Sequence, residues 1–484
     1  MPTVVRKRLV LAICCLSLFI VSLDATVVNV ALPAIRQEFH STISELQWVI
    51  DSYTLVLASL LLLSGTTADR LGRRRTFQLG LVIFTLSSFL CGLAPSVSWL
   101  IVFRILQAIG GSMMNPVALS IVTVVFPGRQ ERANAIGFWG AVAGVSLALG
   151  PLVGGTLVDT IGWRAVFWIN VPVGIMAIVL TALFVPESRA ARIRRFDGVG
   201  QLLVGLTLAS LVFGVIEGPR LGWSSVVVLG TCALCAAGLT ALIVYERRRR
   251  DPLLDLRYFG SIPFSSAALT AIVGFGAYGA FLFLNTLYLQ EVRGASAFAT
   301  GLYLLPLAVA TIITSPLSGR LVAGRGTRLP LTIAGLGIGA SSLLMTTLSA
   351  STPVWLLLVI YVLFGIGFGA INAPITNTAV SGMPREQAGS AAAVASTSRQ
   401  VGVSIGVAIA GSITGIGGAS VIGSGFSAAT HAVWWVTVGC AAVVVGLGYL
   451  STGRRATASA KRVAILLEED RAATPAPTVL PVPR

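Results

Sequence analysis

The sequence predicts an all-α integral membrane protein: fourteen transmembrane helices, in two six-helix halves with two further helices inserted between them. Three observations predict it. Mean hydropathy is +0.88 and only 11% of the 484 residues are charged, too little polar surface for a soluble chain of that length. The basic residues sit in short segments between apolar runs. With the N-terminus inside, 28 of the 34 Lys and Arg fall in inner segments, four in outer ones (Arg36, Arg164, Arg220, Arg293) and two, Arg104 and Arg399, within spans. That asymmetry makes both termini cytoplasmic and the number of spans even. The chain also echoes itself. Gly65-Thr-Thr-Ala-Asp69-Arg70-Leu-Gly72-Arg73 after the second run returns, 254 residues on, as Gly319-Arg320-Leu-Val-Ala323-Gly324-Arg325 after the tenth. Pro127–Ala133 before the fifth run is matched by Pro384–Ala388 before the thirteenth. Two parallel repeats around a central cavity make a transporter architecture.

The first run, 9–33, follows the basic cluster Arg6-Lys7-Arg8. Its start resembles a signal peptide, but its apolar part is too long and no cleavage site follows, so it is expected to remain as the first span. The others are 45–67, 76–94, 98–125, 133–157, 165–185, 198–217, 224–244, 263–289, 299–323, 330–349, 353–378, 390–415 and 431–451. Each is wide enough to cross a bilayer, allowing for tilt. The halves are then 1–195 and 251–451, with the inserted pair in 196–250 and a cytoplasmic tail over 452–484. Pro475, Pro477, Pro481 and Pro483 mark the tail as largely disordered. Lys461 to Asp470 reads as a short helix on the membrane surface.

Composition excludes several classes. The net charge of +16 does not point to nucleic acid, because it is spread over short connecting segments. Arg supplies 32 of the 34 basic residues, which with the Ala, Gly and Val load suggests a GC-rich genome and a bacterial inner membrane. All six cysteines fall in apolar runs, and Cys232-x-x-Cys235 has no second ligand pair, so it reads as packing. His40 and His431 are too far apart in sequence to suggest a metal. Gly365-Ile-Gly367-Phe-Gly369 is a helix-packing stripe, and no Walker pattern is present, so neither ATP nor another cofactor is expected.

Charge within the spans is where chemistry is sought. Asp24 lies roughly 20 Å along the first run from its basic end, at about 1.5 Å per residue. A carboxylate at that depth is a functional candidate, the alternative being a polar group that locks one helix to another. Arg104 enters the fourth run from the outer side by about 10 Å, a depth similar to that of Asp24, so the two can meet. Asp51 sits early in the second run, near the outer surface, and either snorkels or relays protons. Arg399 lies inside the thirteenth run and is expected to face the cavity, together with Asn29, Gln107, Asn285 and Asn377. No run from the ninth on carries an acid in its middle; Glu291 is at an outer end. The seventh and eighth runs carry nothing deeply charged and are expected to pack at the periphery between the halves.

Gly65-x-x-x-Asp69-Arg70-x-Gly72-Arg73-Arg74-Arg75 resembles the hallmark loop of the major facilitator superfamily. Gly65 and Gly72 permit close approach and a tight turn. Asp69 either faces a helix N-terminus of the other half or pairs with Arg73. The second copy has Ala323 in place of the acid. Further stretches narrow the likeness to the fourteen-span drug:proton antiporter family, over nearly all of 9–451. Leu23-Asp24-x-Thr26-x-Val28-Asn29-Val30-Ala31-Leu32-Pro33 is similar to its first-span motif. Arg104-x-x-Gln107-Ala108-x-Gly110 resembles its fourth-span motif, with Ala108 where Gly is usual. Gly150-Pro151-x-x-Gly154-Gly155 resembles the antiporter motif of the fifth. Trp163-Arg164 through Phe167, Asn170 and Pro172, then Pro252-Leu-Leu-Asp255-Leu and Ser398-Arg399-Gln400-x-Gly402, resemble further signatures.

Pro151 removes a backbone hydrogen bond and can bend the fifth span. Gly144, Gly150 and Gly154 allow close packing against a span of the other half. The resemblance associates such a seam with exporters. It implies a proton-coupled antiporter for small hydrophobic or monocationic compounds, acting as a monomer in the bilayer with the proton gradient as its energy source. For proton coupling, Asp24 would bind the proton, Arg104 would bias its charge state, and Asp51 is the candidate relay. An exporter of one endogenous metabolite or lipid is the alternative, and a non-transporting sensor a third reading.

Overall fold

The structure is a computed structural model, describing residues 3–189, 197–249, 252–384, 387–414 and 425–472. All regular structure among them is helical. A helix lies over each of the fourteen apolar runs: α1 (Thr3–Phe39), α2 (Ile43–Leu71), α3 (Arg73–Gly92), α4 (Val97–Val125) and α5 (Arg129–Thr160) come first. The sixth run is broken at Ile169 into α6 (Ala165–Trp168) and α7 (Asn170–Phe184). Then follow α8 (Gly198–Leu221), α9 (Val226–Arg248), α10 (Ile262–Leu287), α11 (Ala297–Arg325), α12 (Arg328–Met345), α13 (Val354–Val380), α14 (Ala388–Thr414) and α15 (Phe426–Leu450). A last helix, α16, covers Arg454–Ala472.

By length and hydropathy eleven of these helices can cross a membrane, or twelve if α2, bent by 51° between Leu61 and Leu63, counts as one span. The chain is a multi-span membrane protein. Among the described residues the expected fourteen thus stands at eleven to twelve, with α5 and α14 not among them; α14 carries Arg399 and Gln400, which lower its hydropathy. Helix starts are set locally. Thr42 closes a capping box with Glu45, and Ser96, Ser225 and Ser296 each accept a first-turn N–H, filling donors that a helix end otherwise leaves bare.

The packing repeats. In the first set α1 packs on α5, α4 and α7, α2 on α4, and α3 on α4 and α7; in the second α10 packs on α14, α13 and α15, α11 on α13, and α12 on α13 and α15. The sets meet through α5 on α11 and α2 on α14, which occupy equivalent places in the repeat, and through α1 on α10. Of the inserted helices α8 fills the groove between α2 and α14, and α9 packs on α8.

The inserted helices carry no charge in mid-span, but they bury charge at their ends: Glu217 of α8 accepts from Trp48 Nε1 of α2 at 3.0 Å and pairs with Arg220 at 2.8 Å. Asp197 and Glu246, at the other end of the pair, are buried as well. The tail helix begins seven residues earlier than 461, at Arg454. It also packs on protein: Val463 and Leu467 are buried, and Ser459 Oγ accepts the N–H of Ile262 at 3.0 Å. The proline-rich end of the tail lies outside the described residues.

Candidate functional site

Asp24 is fully buried, and helices from across the first set converge on it. Arg104 and Gln107, one turn apart on α4, both reach its carboxylate, Arg104 Nη1 to Oδ2 at 2.5 Å and Gln107 Nε2 to Oδ1 at 2.9 Å. Asn170 Nδ2, at the start of α7, donates to Oδ1 at 3.0 Å. Ser88 of α3 accepts from both amides, at 2.6 Å from Gln107 and 3.3 Å from Asn170. Arg104 is held independently of Asp24: its Nε donates to the Val49 carbonyl at 3.2 Å and its Nη1 to Gln107 Oε1 at 2.7 Å. Its guanidinium also lies 4.1 Å from the centre of the Tyr53 ring, a cation–π distance.

Two charges removed from water attract strongly, but each loses hydration, and a buried pair persists only when its remaining lone pairs and protons are satisfied. Here they are. Because Arg104 keeps a carbonyl, an amide oxygen and a ring face, the site can lose the Asp24 charge without stranding the cation wholly unsolvated.

Asp51 does not snorkel. It is fully buried, with Thr54 Oγ1 3.4 Å from Oδ1, Oδ2 unpartnered among the described residues, and Ser404 of α14 beside it. The reason is tertiary, since α14 and α8 cover this face of α2. The remaining candidates scatter. Asn29 is buried and donates to the carbonyl of Ala25 on its own helix. Asn285 lies in the second set's core, accepting from Tyr361 Oη at 3.0 Å. Asn377 is exposed on α13, and Arg399 of α14 donates to Thr376 Oγ1 at 2.6 Å.

Gly150 and Gly154 pack on α1 of their own set, where an added Cβ would strike Thr26 and Val27. This corrects the expectation that they face the other set. Gly155, one residue and about 100° further round the helix, presses on the Ala297 carbonyl of α11, and Gly301 of α11 presses back on the Pro151 carbonyl. One continuous helix runs through Pro151. The surroundings of Gly144 lie outside the described residues.

Polar links between the sets cluster at this same end, away from the chain termini. Asp159 at the end of α5 accepts the N–H groups of Ala297 and Phe298 at 3.2 and 2.8 Å. Arg36 pairs with Glu291 at 3.2 Å, Gln290 donates to the Val30 carbonyl at 2.9 Å, and Gln47 donates to the Val407 and Ala408 carbonyls at 3.0 and 2.8 Å. At the opposite end a Cβ added at Gly65, Gly319 or Gly324 would meet nothing within 4 Å. There Asp69 pairs with Arg73 at 3.7 Å. Gly72 takes φ +104° between α2 and α3, and the next two residues bind the segment after α7, Arg73 N–H to the Ser188 carbonyl and Arg74 N–H to Glu187. Arg70 is exposed.

Sequence reasoning missed Ser88, Tyr53 and Asp159. The first two left no signal, being ordinary residues of apolar runs. Asp159 did leave one: an acid four residues past the glycine pair, at the last turn of the helix.

The sequence profile of the Major Facilitator Superfamily matches residues 14–407. The chain is 41% identical over 398 residues to "Multidrug resistance protein Stp" of Mycobacterium tuberculosis, covering 82% of this chain and 74% of that protein. It is 38% identical over 393 residues to the "Tetracenomycin C resistance and export protein" of Streptomyces glaucescens, covering 81% and 73%. With "Puromycin resistance protein pur8" of Streptomyces alboniger the identity is 36% over 400 residues, covering 82% and 79%. Among solved structures, a bacterial homolog of the human lysosomal transporter Spinster shares the fold with a TM-score of 0.62 at 20% identity, covering 96% and 98%. The chain therefore belongs to the Major Facilitator Superfamily, a transporter family and not an enzyme family, and its relatives are multidrug- and antibiotic-resistance efflux proteins.

Proposed function

We propose that the protein is a proton-coupled antiporter of the fourteen-span type, exporting small, largely apolar or monocationic compounds from a bacterial cytoplasm by alternating access. The first set with its preceding residues (1–195) and the second (251–451) act as the rocking halves, 196–250 forms the inserted pair, and both termini are cytoplasmic. The linked end of the bundle is then the outer one, and this conformation is sealed on the outside.

The observation that carries this reading is the Asp24 cluster. A carboxylate in the core of a membrane bundle, held by a cation that has other partners, suits a group that is alternately charged and neutral. Its donors come from α4 and α7 while the carboxylate stands on α1, so a rearrangement among these helices changes what holds it. The exporter direction rests on the relatives named above.

The test is efflux of ethidium from proteoliposomes under an imposed pH gradient. Wild type is expected to move it uphill, and Asp24→Asn to move it only downhill. Absence of any pH-driven movement by the wild type would remove the reading. A reporter fused to the C-terminal end is expected on the cytoplasmic side.

A further inference from the structure

We propose that Arg399, with Thr376 and the face of Phe275, forms an anion-binding subsite in the second set that takes the carboxylate of an aromatic or largely apolar organic acid. This extends the range of ligands beyond the neutral and cationic compounds above, and it does not depend on Asp24.

The argument begins with charge. A guanidinium within a membrane span is costly unless paired or wet. Arg104 in the first set has Asp24; among the described residues no carboxylate pairs with Arg399. The second set offers little else: between Ser261 and Lys461 its acids are Glu291, already paired with Arg36, and Glu386, while Asp51 of α2, beside Ser404 of α14, forms no ion pair with Arg399 among the described residues. Glu386 lies outside the described residues. Among the described residues the hydrogen-bond partner of Arg399 is one neutral hydroxyl, Thr376 Oγ1, while its buried Nε has none. Guanidinium presents five donors in a planar fork that matches a carboxylate.

The surroundings add the rest. The Phe275 ring centre lies 5.8 Å from Arg399 Cζ, Phe275 meets Phe368 edge-on at 5.1 Å, and Phe368 stacks on Tyr278 at 4.0 Å. This buried bank joins α10 to α13 and backs the charge with aromatic rings, Phe275 being the nearest. The exposed groups near the end of α13 are Thr376 and Asn377, whereas Trp355 and Val359 are exposed nearer its start. Polar exposure there fits a surface that faces water, and a water-lined mouth lets an ionised ligand reach the guanidinium.

The test is fluorescence titration of the full-length protein in phosphatidylcholine vesicles, with protein-free vesicles as blank. The probes are 9-anthracenecarboxylate and its uncharged counterpart 9-anthracenemethanol. Wild type is expected to prefer the carboxylate by roughly tenfold or more, the effect of one charge-assisted hydrogen bond. Arg399→Gln is expected to bring the ratio close to one, and Arg399→Lys to restore part of it. Removing a charge from a span does not threaten insertion, so the variant remains measurable. An unchanged ratio in Arg399→Gln overturns the proposal. So does loss of the wild-type preference when phosphatidylglycerol is added, which would assign the guanidinium to a lipid phosphate. Ethidium efflux without a carboxylate preference would sink this inference alone; a preference without pH-driven efflux would sink only the antiport reading.

Discussion

Asp24→Asn is the most informative perturbation, because the structure assigns it two separate effects. The first is on stability. The substitution leaves Arg104 buried without its counter-ion, and removing one partner of a buried pair typically costs about 3–5 kcal/mol. The amide also fits badly: Gln107 and Asn170 both donate to Oδ1 and Arg104 to Oδ2, so an Asn side chain turns its own N–H groups toward a donor. The second effect is on coupling, since Asn cannot bind and release a proton. Arg104→Gln alone leaves the carboxylate with two amide donors and is expected to cost less. The double variant Asp24→Asn/Arg104→Gln removes both charges and is expected to be more stable than Asp24→Asn alone, a non-additivity characteristic of groups in contact. The assay is thermal denaturation of purified protein in detergent, read beside ethidium transport with and without a pH gradient. A double variant no more stable than Asp24→Asn would refute the account of the pair. Uphill ethidium transport by Asp24→Asn would refute the coupling role and turn attention to Asp51.

Three further outcomes are expected. Asp159→Ala removes the carboxylate that caps α11, a contact worth about 1–2 kcal/mol; cysteine labelling from the outer side is expected to rise roughly five- to thirtyfold in the open population, and unchanged labelling would deny it a gating role. Gly155→Val drives a side chain into the Ala297 carbonyl and is expected to abolish transport while leaving membrane levels near normal, against which wild-type turnover would count decisively. Asp69→Asn breaks a partly exposed pair across the turn between α2 and α3, worth about 0.2–1 kcal/mol in the conformation seen here, so little change in melting temperature is expected; turnover should nonetheless fall several-fold if Asp69 docks elsewhere in the alternate state, and normal turnover would exclude that docking.

The sequence by itself determined the helices, their order and the presence of a repeat, because burial of the backbone in lipid demands helices and apolar length announces them. It also singled out Asp24 and Arg104: ionised groups are rare in such runs, and counting residues from each end set both at similar depth. Only the tertiary structure decided which faces meet. Lipid and protein interior are equally apolar, so a membrane helix carries little periodic signal of which side turns inward. Hence Gly150 and Gly154, assigned to the seam between the sets, lie against α1, while Gly155 makes the seam. Asp51, placed near the outer surface by its position along the run, lies buried because α14 and α8 cover it. Asn170 reaches Asp24 from 146 residues away in sequence, and Ser88, 64 residues away, accepts from the two amides that hold the carboxylate; no local pattern encodes a meeting at that distance.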